Sequence, residues 1–431
     1  MNRNIIISAL LSVTLSGHAG SWDLDSCINY AIVHNITVKS RNTDKMSAEI
    51  NVTDAKNKFL PEISANASQS FNFGRGLTSE NVYANRNTSN FQWGAQLSLP
   101  LFQGLSNIRQ LNYAKANLRA VVEDYEAAKD DVTLNVISAY LQVLYCTEIH
   151  NVTTNQVKLS KDELQRRKGL LEAGKIPEID MLDAQSQLAQ DELSETTARN
   201  DYMLALVDLA QLLELDNIDG FSITPLDDST SSILPAEEVY RNALTNNHTI
   251  LAARNRITAA ERNIELAKSG YIPKLSLNAG VGSSYYRING WKNDSFKDQM
   301  SNNFNTYIGF SLNIPIFDAF STRNSVKKAK IQHLSAQLQY DSDENSLFKA
   351  IQQSYYRAVG AKKKLESSIE AEHSARQAFE AMKEKYNLGR ATPSEYDQAK
   401  TKYLKATSER IQAKYESILR TRILDFYNNP K

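Results

Sequence analysis

Residues that interrupt regular structure are scarce in this sequence. It has 16 glycines and 9 prolines in 431 residues, which favours long helices and strands. Two cysteines, Cys27 and Cys146, are too few for a disulfide framework. We expect two unpaired, buried thiols, with a bridge in an oxidising compartment as the alternative. Acidic and basic residues number 49 each, so the charge implies no nucleic acid partner.

The sequence also lacks the motifs of common enzymes and metal sites. Its 6 histidines are scattered without ligand spacing, and it has no H-E-x-x-H, G-x-S-x-G or C-x-x-C motif. The glycines of Phe73–Gly76 lack the strand–turn–helix context of a phosphate-binding loop. We therefore expect no enzyme, no metal and no cofactor.

Long apolar runs are absent beyond the N-terminus, so no transmembrane helix is expected. Residues 1–20 combine Arg3, the apolar run Ile5–Leu15 and a small-residue site ending at Ala19 or Gly20. This pattern predicts a cleaved secretory signal peptide, with an N-terminal buried helix as the alternative.

What the sequence does contain is a strand that leads directly into a long helix. Residues 91–99 alternate between apolar and polar side chains, as in a half-buried strand. Pro100 should end the strand because it has no N–H to donate, and Gly104 should allow a tight turn. Apolar residues then recur every three or four positions, as in a helix: Leu111, Ala114, Leu118, Val121, Tyr125, Ala128 and Val132.

The same construction occurs twice. Pro315 and Phe317 follow a second alternating segment, 307–314, at an offset of 215 residues from Pro100 and Phe102. The segment that ends at Pro61 matches the one that ends at Pro273, at an offset of 212: Ala31 with Ala243, Asn35 with Asn247, Asn51 with Asn263. The sequence therefore predicts an internal duplication.

The predicted fold is mostly α with a small β portion, in two strand–strand–helix–helix repeats. A first helix, about 24–60, precedes the first strand. The first repeat, 21–215, has strands at about 62–73 and 89–99 and long helices at about 105–168 and 179–215. A connector spans 216–235. The second repeat, 236–431, has strands at about 274–285 and 305–314, with a polar loop at about 287–303 between them, and long helices at about 320–388 and 394–426.

One part of the first long helix is apolar on most sides. Between Val132 and Leu144 the apolar residues widen beyond one stripe, and such a helix must be covered. We expect it to pack against the short helices and the connector.

Four strands of about ten residues have the length needed to cross an outer membrane when tilted. Their apolar faces are predicted to contact lipid, with these side chains outward: Phe91, Trp93, Leu97, Ile308, Phe310 and Leu312. Four strands cannot close into a barrel, and open edges in lipid are costly, so a homotrimer with a 12-stranded barrel is expected. The alternative is a soluble sheet with one face on helices, in a secreted coiled-coil protein or adhesin without a pore.

These features, taken in order, resemble the TolC-type outer membrane efflux proteins. The resemblance is carried by the duplicated strand–Pro–x–Phe–helix junctions and by two segments, Gly174–Gln185 and Gly389–Lys400. It implies a trimeric passive exit duct, with a barrel in the outer membrane and a coiled-coil tunnel in the periplasm. The implied partners are a periplasmic adaptor protein and an inner-membrane pump, and the cargo is either small molecules or protein.

The resemblance also assigns roles to the two turns between long helices. It implies adaptor docking at Gly174, Lys175, Gly389 and Arg390. On local grounds these residues belong to ordinary interhelical turns, in which Gly174 and Gly389 end one helix and Pro177 and Pro393 begin the next. It implies a constriction formed by Asp180, Tyr386, Arg390, Glu395 and Gln398. Ala391 stands where the family has an arginine, and Gln398 where it has a second carboxylate. Glu395 also fits a capping box with Thr392, and Asp180 fits a favourable position in a first helical turn.

Overall fold

A computed structural model describes residues 21–77, 82–226 and 232–429. The predicted signal peptide and residues 227–231 of the predicted connector lie outside this described part. The chain is mostly helical with a small β portion, which confirms the predicted fold class.

The described helices are α1 (Leu24–His34), α2 (Ile36–Asn57), α3 (Ser106–Glu172), α4 (Glu178–Leu212), α5 (Ala236–Asn246), α6 (His248–Lys268), α7 (Phe296–Asn302), α8 (Ser321–Asn387) and α9 (Pro393–Asn428). The described strands are β1 (Glu62–Asn72), β2 (Arg75–Leu77), β3 (Tyr83–Asn85), β4 (Thr88–Gln103), β5 (Lys274–Ile288) and β6 (Asn305–Asn313).

The chain divides into two compact units. The first comprises Met1–Arg41, Glu126–Asn247 and Ser346–Lys431, and the second comprises Asn42–Tyr125 and His248–Asn345. Each unit therefore takes segments from both predicted repeats, so a repeat of the sequence is not a folding unit by itself.

The second unit contains one antiparallel sheet in the order β1-β4-β5-β6. Leu97 of β4 lies between Ile63 of β1 and Ala279 of β5, and Ala279 lies opposite Ile308 of β6. Directly opposite residues point to the same side of a sheet, so this register gathers the apolar side chains on one side. We call that side the apolar face, and its members include Ile63, Trp93, Leu97, Val281, Ile308, Phe310 and Leu312.

Pro100 does not end its strand, so that prediction is wrong. β4 continues to Gln103, with Pro100 opposite Ser276 and Phe102 opposite Leu275. The register shifts between Pro100 and Phe102, and a bulge of this kind tolerates a residue without an N–H.

The first helix predicted for about 24–60 is two helices, α1 and α2. Asn35 separates them with an extended backbone, φ −60° and ψ 131°. Its Nδ2 donates to the carbonyl oxygen of Leu212 at 3.2 Å, and its Oδ1 accepts from the N–H of Thr37 at 2.9 Å. These bonds satisfy the polar groups that the break exposes.

Helix α7 lies in a segment, 287–303, that the sequence predicts as a polar loop. β5 extends past the first residue of β6, and α7 side chains take up hydrogen bonds along that extension. Gln299 Oε1 accepts from the N–H of Tyr286 at 2.9 Å, and Gln299 Nε2 donates to the Tyr286 carbonyl oxygen at 3.0 Å. Asn303 Nδ2 donates to the carbonyl oxygen of Ser284 at 2.7 Å. The helix thus takes the place of a missing strand partner.

The apolar part of α3 is covered as predicted, and the connector contributes. Val136, Tyr140 and Val143 are fully buried. The Tyr140 hydroxyl donates to the carbonyl oxygen of Thr224, in the connector, at 2.6 Å. In the described residues α3 is the one helix long and apolar enough to cross a membrane, but 44% of its most apolar window is buried inside the chain. Buried helices pass the same test of composition.

The two cysteines are free and buried, as predicted. Burial raises the pKa of the Cys27 thiol to about 12 and raises the pKa of Cys146 above its ordinary value. Both thiols are therefore protonated at neutral pH.

Candidate functional site at the helix turns

The turns that follow α3 and α8 have the same backbone geometry. Gly174 has φ 67° and Gly389 has φ 70°, the left-handed region in which a side chain is strained. The N–H of Lys175 donates to the carbonyl of Leu170 at 2.9 Å, and the N–H of Arg390 donates to the carbonyl of Lys385 at 2.8 Å. Both helices therefore end on a glycine cap, as the sequence predicts.

The helices that leave these turns begin differently. Pro393 is the first residue of α9, where its missing N–H costs nothing. Pro177 lies one position outside α4, as its N-cap, and makes no side-chain cap bond. Thr392 and Glu395 form the predicted capping box: Thr392 Oγ1 accepts from the N–H of Glu395, and Glu395 Oε2 accepts from the N–H of Thr392. The backbone bond from Thr392 lowers the pKa of Glu395.

The residues predicted for the constriction occupy different environments. Asp180 is half-buried in the first turn of α4, and Tyr386 is 7% exposed on α8. Arg390, Glu395 and Gln398 are exposed. The predicted docking residues Gly174, Lys175 and Gly389 are exposed as well.

Tyr386 and Asp180 meet through residues that the sequence analysis did not select. The Tyr386 hydroxyl donates to Glu163 Oε1 at 2.6 Å. The guanidinium of Arg167 donates to Glu163 Oε1 at 2.8 Å, to the carbonyl oxygen of Asp180 at 3.1 Å and to Asp397 Oδ2 at 3.1 Å. We call Glu163, Arg167, Tyr386 and Asp397 the Arg167 network. It connects α3 with α4, α8 and α9.

Aromatic rings pack beside this network. Tyr386 stacks on Tyr396 with 4.7 Å between ring centroids and 19° between planes. Phe379, Tyr386 and Tyr396 form a buried cluster. The Arg166 guanidinium lies 4.5 Å from the centroid of the Tyr386 ring. Apolar burial on this side excludes water from the bond between Tyr386 and Glu163 and strengthens it.

A second buried charged group lies farther along the same helices. Asp191 is 2% exposed on α4, and its carboxylate accepts from Gln156 Nε2 at 2.6 Å, from Gln187 Nε2 at 2.8 Å and from the Ser160 hydroxyl. Lys400 of α9 lies 3.6 Å from the same carboxylate and donates to Ser160 Oγ at 2.6 Å.

Both charged groups have a recognisable signal in the sequence. Ser160 and Arg167 lie four residues before and three residues after buried Leu164 on α3, so all three are on the same side of the helix. Asp191 occurs midway in a seven-residue series of buried positions on α4, Ala184, Asp191, Ala198 and Ala205. A charged residue at a helix position that faces the core requires a buried partner.

A polar groove of about 920 Å³ lies beside the Arg167 network, between the beginnings of α4 and α9. Asp180, Asp183, Asp397, Gln398 and Lys402 are among its lining residues. No cluster of histidine, cysteine, aspartate or glutamate suited to a metal occurs among the described residues. The groove therefore offers hydrogen-bonding groups of both signs to a polar partner.

The capping box allows a local test. We expect Thr392→Ala to destabilise the start of α9 by about 1 kcal/mol, because the N–H of Glu395 loses its acceptor. Thr392→Ser keeps the hydroxyl and serves as the control. The measurement is hydrogen exchange of amides 394–397, and unchanged exchange in Thr392→Ala would contradict the cap.

The cap should also depend on pH. Because the folded state lowers the pKa of Glu395 from its ordinary value of 4.5, its contribution is present above that value and is lost as the pH falls through the lowered pKa.

Comparisons with known proteins agree with this architecture. A family model described as "Outer membrane efflux protein" matches residues 27–214 and 239–422. The outer membrane protein TolC of Vibrio cholerae is 25% identical over 427 residues, covering 96% of this chain and 92% of that protein. TolC of Escherichia coli is 22% identical over 430 residues, covering 96% and 84%. The crystal structure of the Campylobacter jejuni CmeC outer membrane channel matches with a TM-score of 0.79 at 18% identity, covering 94% of this chain and 86% of that one.

Proposed function

We propose, from the premise that this chain belongs to the outer membrane efflux protein family, that three copies of it form a passive duct through the outer membrane. The helices wall a tunnel on the periplasmic side, and solute enters near the helix turns. Energy comes from a periplasmic adaptor protein and an inner-membrane pump, since the sequence has no nucleotide-binding or ion-coupling motif. The family favours this function over the alternative of a secreted coiled-coil protein or adhesin without a pore.

The observation that carries the proposal is the sheet with one apolar face and two unpaired edges. β1 and β6 are its outer strands, and Ile308, Phe310 and Leu312 of β6 are 60–74% exposed. Side chains of this kind favour lipid over water. In lipid, however, the unpaired N–H and C=O groups of two edges are too costly to persist. Pairing β1 of one copy with β6 of the next satisfies both requirements, and three copies supply 12 strands.

Helix α8 supports the assembly with a second surface. Ile331, Leu334 and Leu338 follow helical spacing and are 66%, 54% and 61% exposed. A stripe at positions three, four and seven apart is the pattern with which helices pack together. Neighbouring subunits of the same chain are the partner that covers it.

The opposite face of the sheet forms the lumen in this proposal. It presents short neutral side chains such as Ser64, Asn66, Gln96, Asn278 and Ser311. Such a surface keeps a hydrated passage and selects weakly for charge. It suits small polar or amphipathic solutes and extended polypeptides alike.

The helix turns are proposed as the gate and the adaptor contact. Asp180, Tyr386, Arg390, Glu395 and Gln398 form the constriction, and Gly174, Lys175, Gly389 and Arg390 dock the adaptor. Exposure of the glycine caps and of both basic side chains supports the docking role. Three copies of Glu395 around one axis would repel one another and favour cations.

Crosslinking between strand edges tests the trimer. In a Cys27→Ala/Cys146→Ala background, Ser64→Cys on β1 and Ser311→Cys on β6 place thiols on the lumen face at opposite edges. A short bis-maleimide should join subunits, so a denaturing gel should show monomer, dimer and trimer bands. Ser64→Cys alone is the control and should stay monomeric. A monomer by native mass spectrometry, with no crosslinked bands, would contradict the proposal.

A further inference from the structure

The four strands of the sheet join helices at one end only. β1 and β5 follow α2 and α6 there, and β4 and β6 lead into α3 and α8. The register places Gln103, Lys274 and Asn313 side by side at this end. The helical part extends into the periplasm, so the other end of the sheet points toward the outer leaflet of the membrane. We call it the outer end.

Three aromatic side chains meet on the apolar face near the outer end. Phe91 of β4 lies directly opposite Tyr285 of β5. The ring of Phe296, from α7, has its centroid 5.9 Å from that of Phe91 and 5.1 Å from that of Tyr285. We call these three residues the aromatic cluster. Aromatic rings are enriched where hydrocarbon meets lipid headgroups, so the cluster indicates the depth at which the hydrocarbon ends.

Helix α7 brings Phe296 to this position by packing over β5. Ser283 lies on the apolar face, opposite Trp93, and is 5% exposed. Its hydroxyl donates to the carbonyl oxygen of Met300 at 2.8 Å. A hydroxyl that faced hydrocarbon without a partner would be costly, and this bond removes the cost. Helix α7 therefore belongs to the lipid-facing side of the sheet.

The length of β5 agrees with this depth. Its positions on the apolar face run from Leu275 to Tyr285, about 34 Å along a strand that rises 3.4 Å per residue. At a strand tilt of about 40° this length spans about 26 Å of membrane, close to the 25 Å height of the apolar band of a barrel. The next side chain on the same face would therefore lie among the headgroups.

That next side chain is a cation, and a second cation lies beside the aromatic cluster. Arg287 lies opposite Ser89 on the apolar face and is exposed. Lys297 follows Phe296 on α7 and is exposed as well. Neither Arg287 nor Lys297 forms an ion pair within the described part of the chain. Both charges are therefore available to an external anion.

The segments beyond the outer end are net positive, although the whole chain is neutral. Residues 73–87 and 287–303 together contain five basic and three acidic side chains: Arg75, Arg86, Arg287, Lys292 and Lys297 against Glu80, Asp294 and Asp298. A surface with this charge attracts anions. The anion nearest to an aromatic belt in a membrane is the phosphate of a lipid headgroup.

We propose that Arg287 and Lys297 bind phosphate groups of outer-leaflet lipid headgroups, directly above the aromatic cluster. The guanidinium of Arg287 can donate two parallel hydrogen bonds to one phosphate, and the ammonium of Lys297 adds a compact charge. This inference rests on the proposed function, since it requires that the apolar face contacts lipid.

Native mass spectrometry of the full chain released from nanodiscs tests this site. The nanodiscs contain phosphatidylcholine and either lipid A with two phosphates or the same lipid with both phosphates removed. We expect the wild type to retain the phosphorylated lipid at least about tenfold more often, because charge-assisted bonds to phosphate are the strong ones. Equal retention of the two lipids would overturn the inference, and this comparison needs no variant.

Substitutions assign the preference to the two cations. Arg287→Gln/Lys297→Gln should lose it, because both charges are removed while the aromatic cluster remains. Arg287→Lys should keep part of it, since an ammonium replaces the guanidinium fork. Lys274→Gln is the matched control, because Lys274 is an exposed cation at the other end of β5. Retention of the preference in the double variant, or its loss in Lys274→Gln, would overturn the assignment.

Two further outcomes separate the source of the phosphate and the underlying function. Inorganic phosphate at the concentration of the lipid phosphate should leave the bound lipid in place, and displacement would identify free phosphate as the ligand and overturn the lipid site. A wild-type protein that does not enter nanodiscs refutes the proposed function itself. A wild-type protein that enters them but retains both lipids equally refutes only the headgroup site.

Discussion

Leu97→Arg is expected to abolish insertion into the outer membrane. Leu97 lies at the middle of the apolar face, between Ile63 and Ala279. This face is proposed to contact lipid, so an arginine there would meet hydrocarbon. A cationic side chain near the bilayer midplane of a barrel costs about 2–4 kcal/mol, and the proposed trimer would carry the change three times. Trp93→Arg, on the same face, is expected to act in the same direction. The measurement is the amount of assembled protein in isolated outer membranes, determined by native mass spectrometry.

The adjacent residue is the matched control. Gln96 lies on the opposite face of β4, so Gln96→Arg adds the same charge to the proposed lumen. It should assemble in near wild-type amounts and change only the ion selectivity of the channel. Equal assembly of Leu97→Arg and Gln96→Arg would show that neither face contacts lipid, and would favour the coiled-coil protein without a pore.

Asp191→Leu is expected to destabilise the packing of α9 against α3 and α4 by about 3–5 kcal/mol. The substitution leaves the ammonium of Lys400, 7% exposed, with the Ser160 hydroxyl as its one remaining partner among the described residues. Removing one member of a buried ion pair costs far more than the pair contributes, because the remaining charge stays out of water. The measurement is the free energy of opening from hydrogen exchange of α9 amides around Lys400.

A double variant distinguishes the effect of an unpaired charge from the effect of altered side-chain packing. Asp191→Leu/Lys400→Met removes both charges and should recover most of the lost stability. Glu192→Leu is the surface control, since its pair with Lys161 is exposed at both ends and should contribute at most about 1 kcal/mol. If the double variant is as unstable as Asp191→Leu, the shape of the site rather than its charge is responsible.

Local sequence patterns were sufficient to predict those features that depend on a single helix or strand. The alternation around Leu97 identified the apolar face, and Thr392 with Glu395 identified a cap that forms within four residues. Such features depend on the period of the side chains and on hydrogen bonds between residues close in sequence, and both can be recognised in the sequence itself. Pro100 was misjudged because a bulge in β4, visible only against β5, accommodates it.

The short helix α7 was not predicted, for a different reason. Helix α7 has seven residues, too few for a helical period to be recognised against a polar background. Its stability comes from bonds to the extension of β5, among them those between Gln299 and Tyr286, so the sequence of α7 alone carries little information about it.

The sequence by itself determined the duplication, the long helices, the two faces of each strand and the glycine caps. Only the tertiary structure decided which partners the buried charged residues have: Arg167 pairs with Asp397, and Lys400 pairs with Asp191. The physical reason is that a helical period states which side of a helix is buried but not which helix will cover it. That choice follows from the packing of segments more than 200 residues apart, and burial then makes each such pairing obligatory.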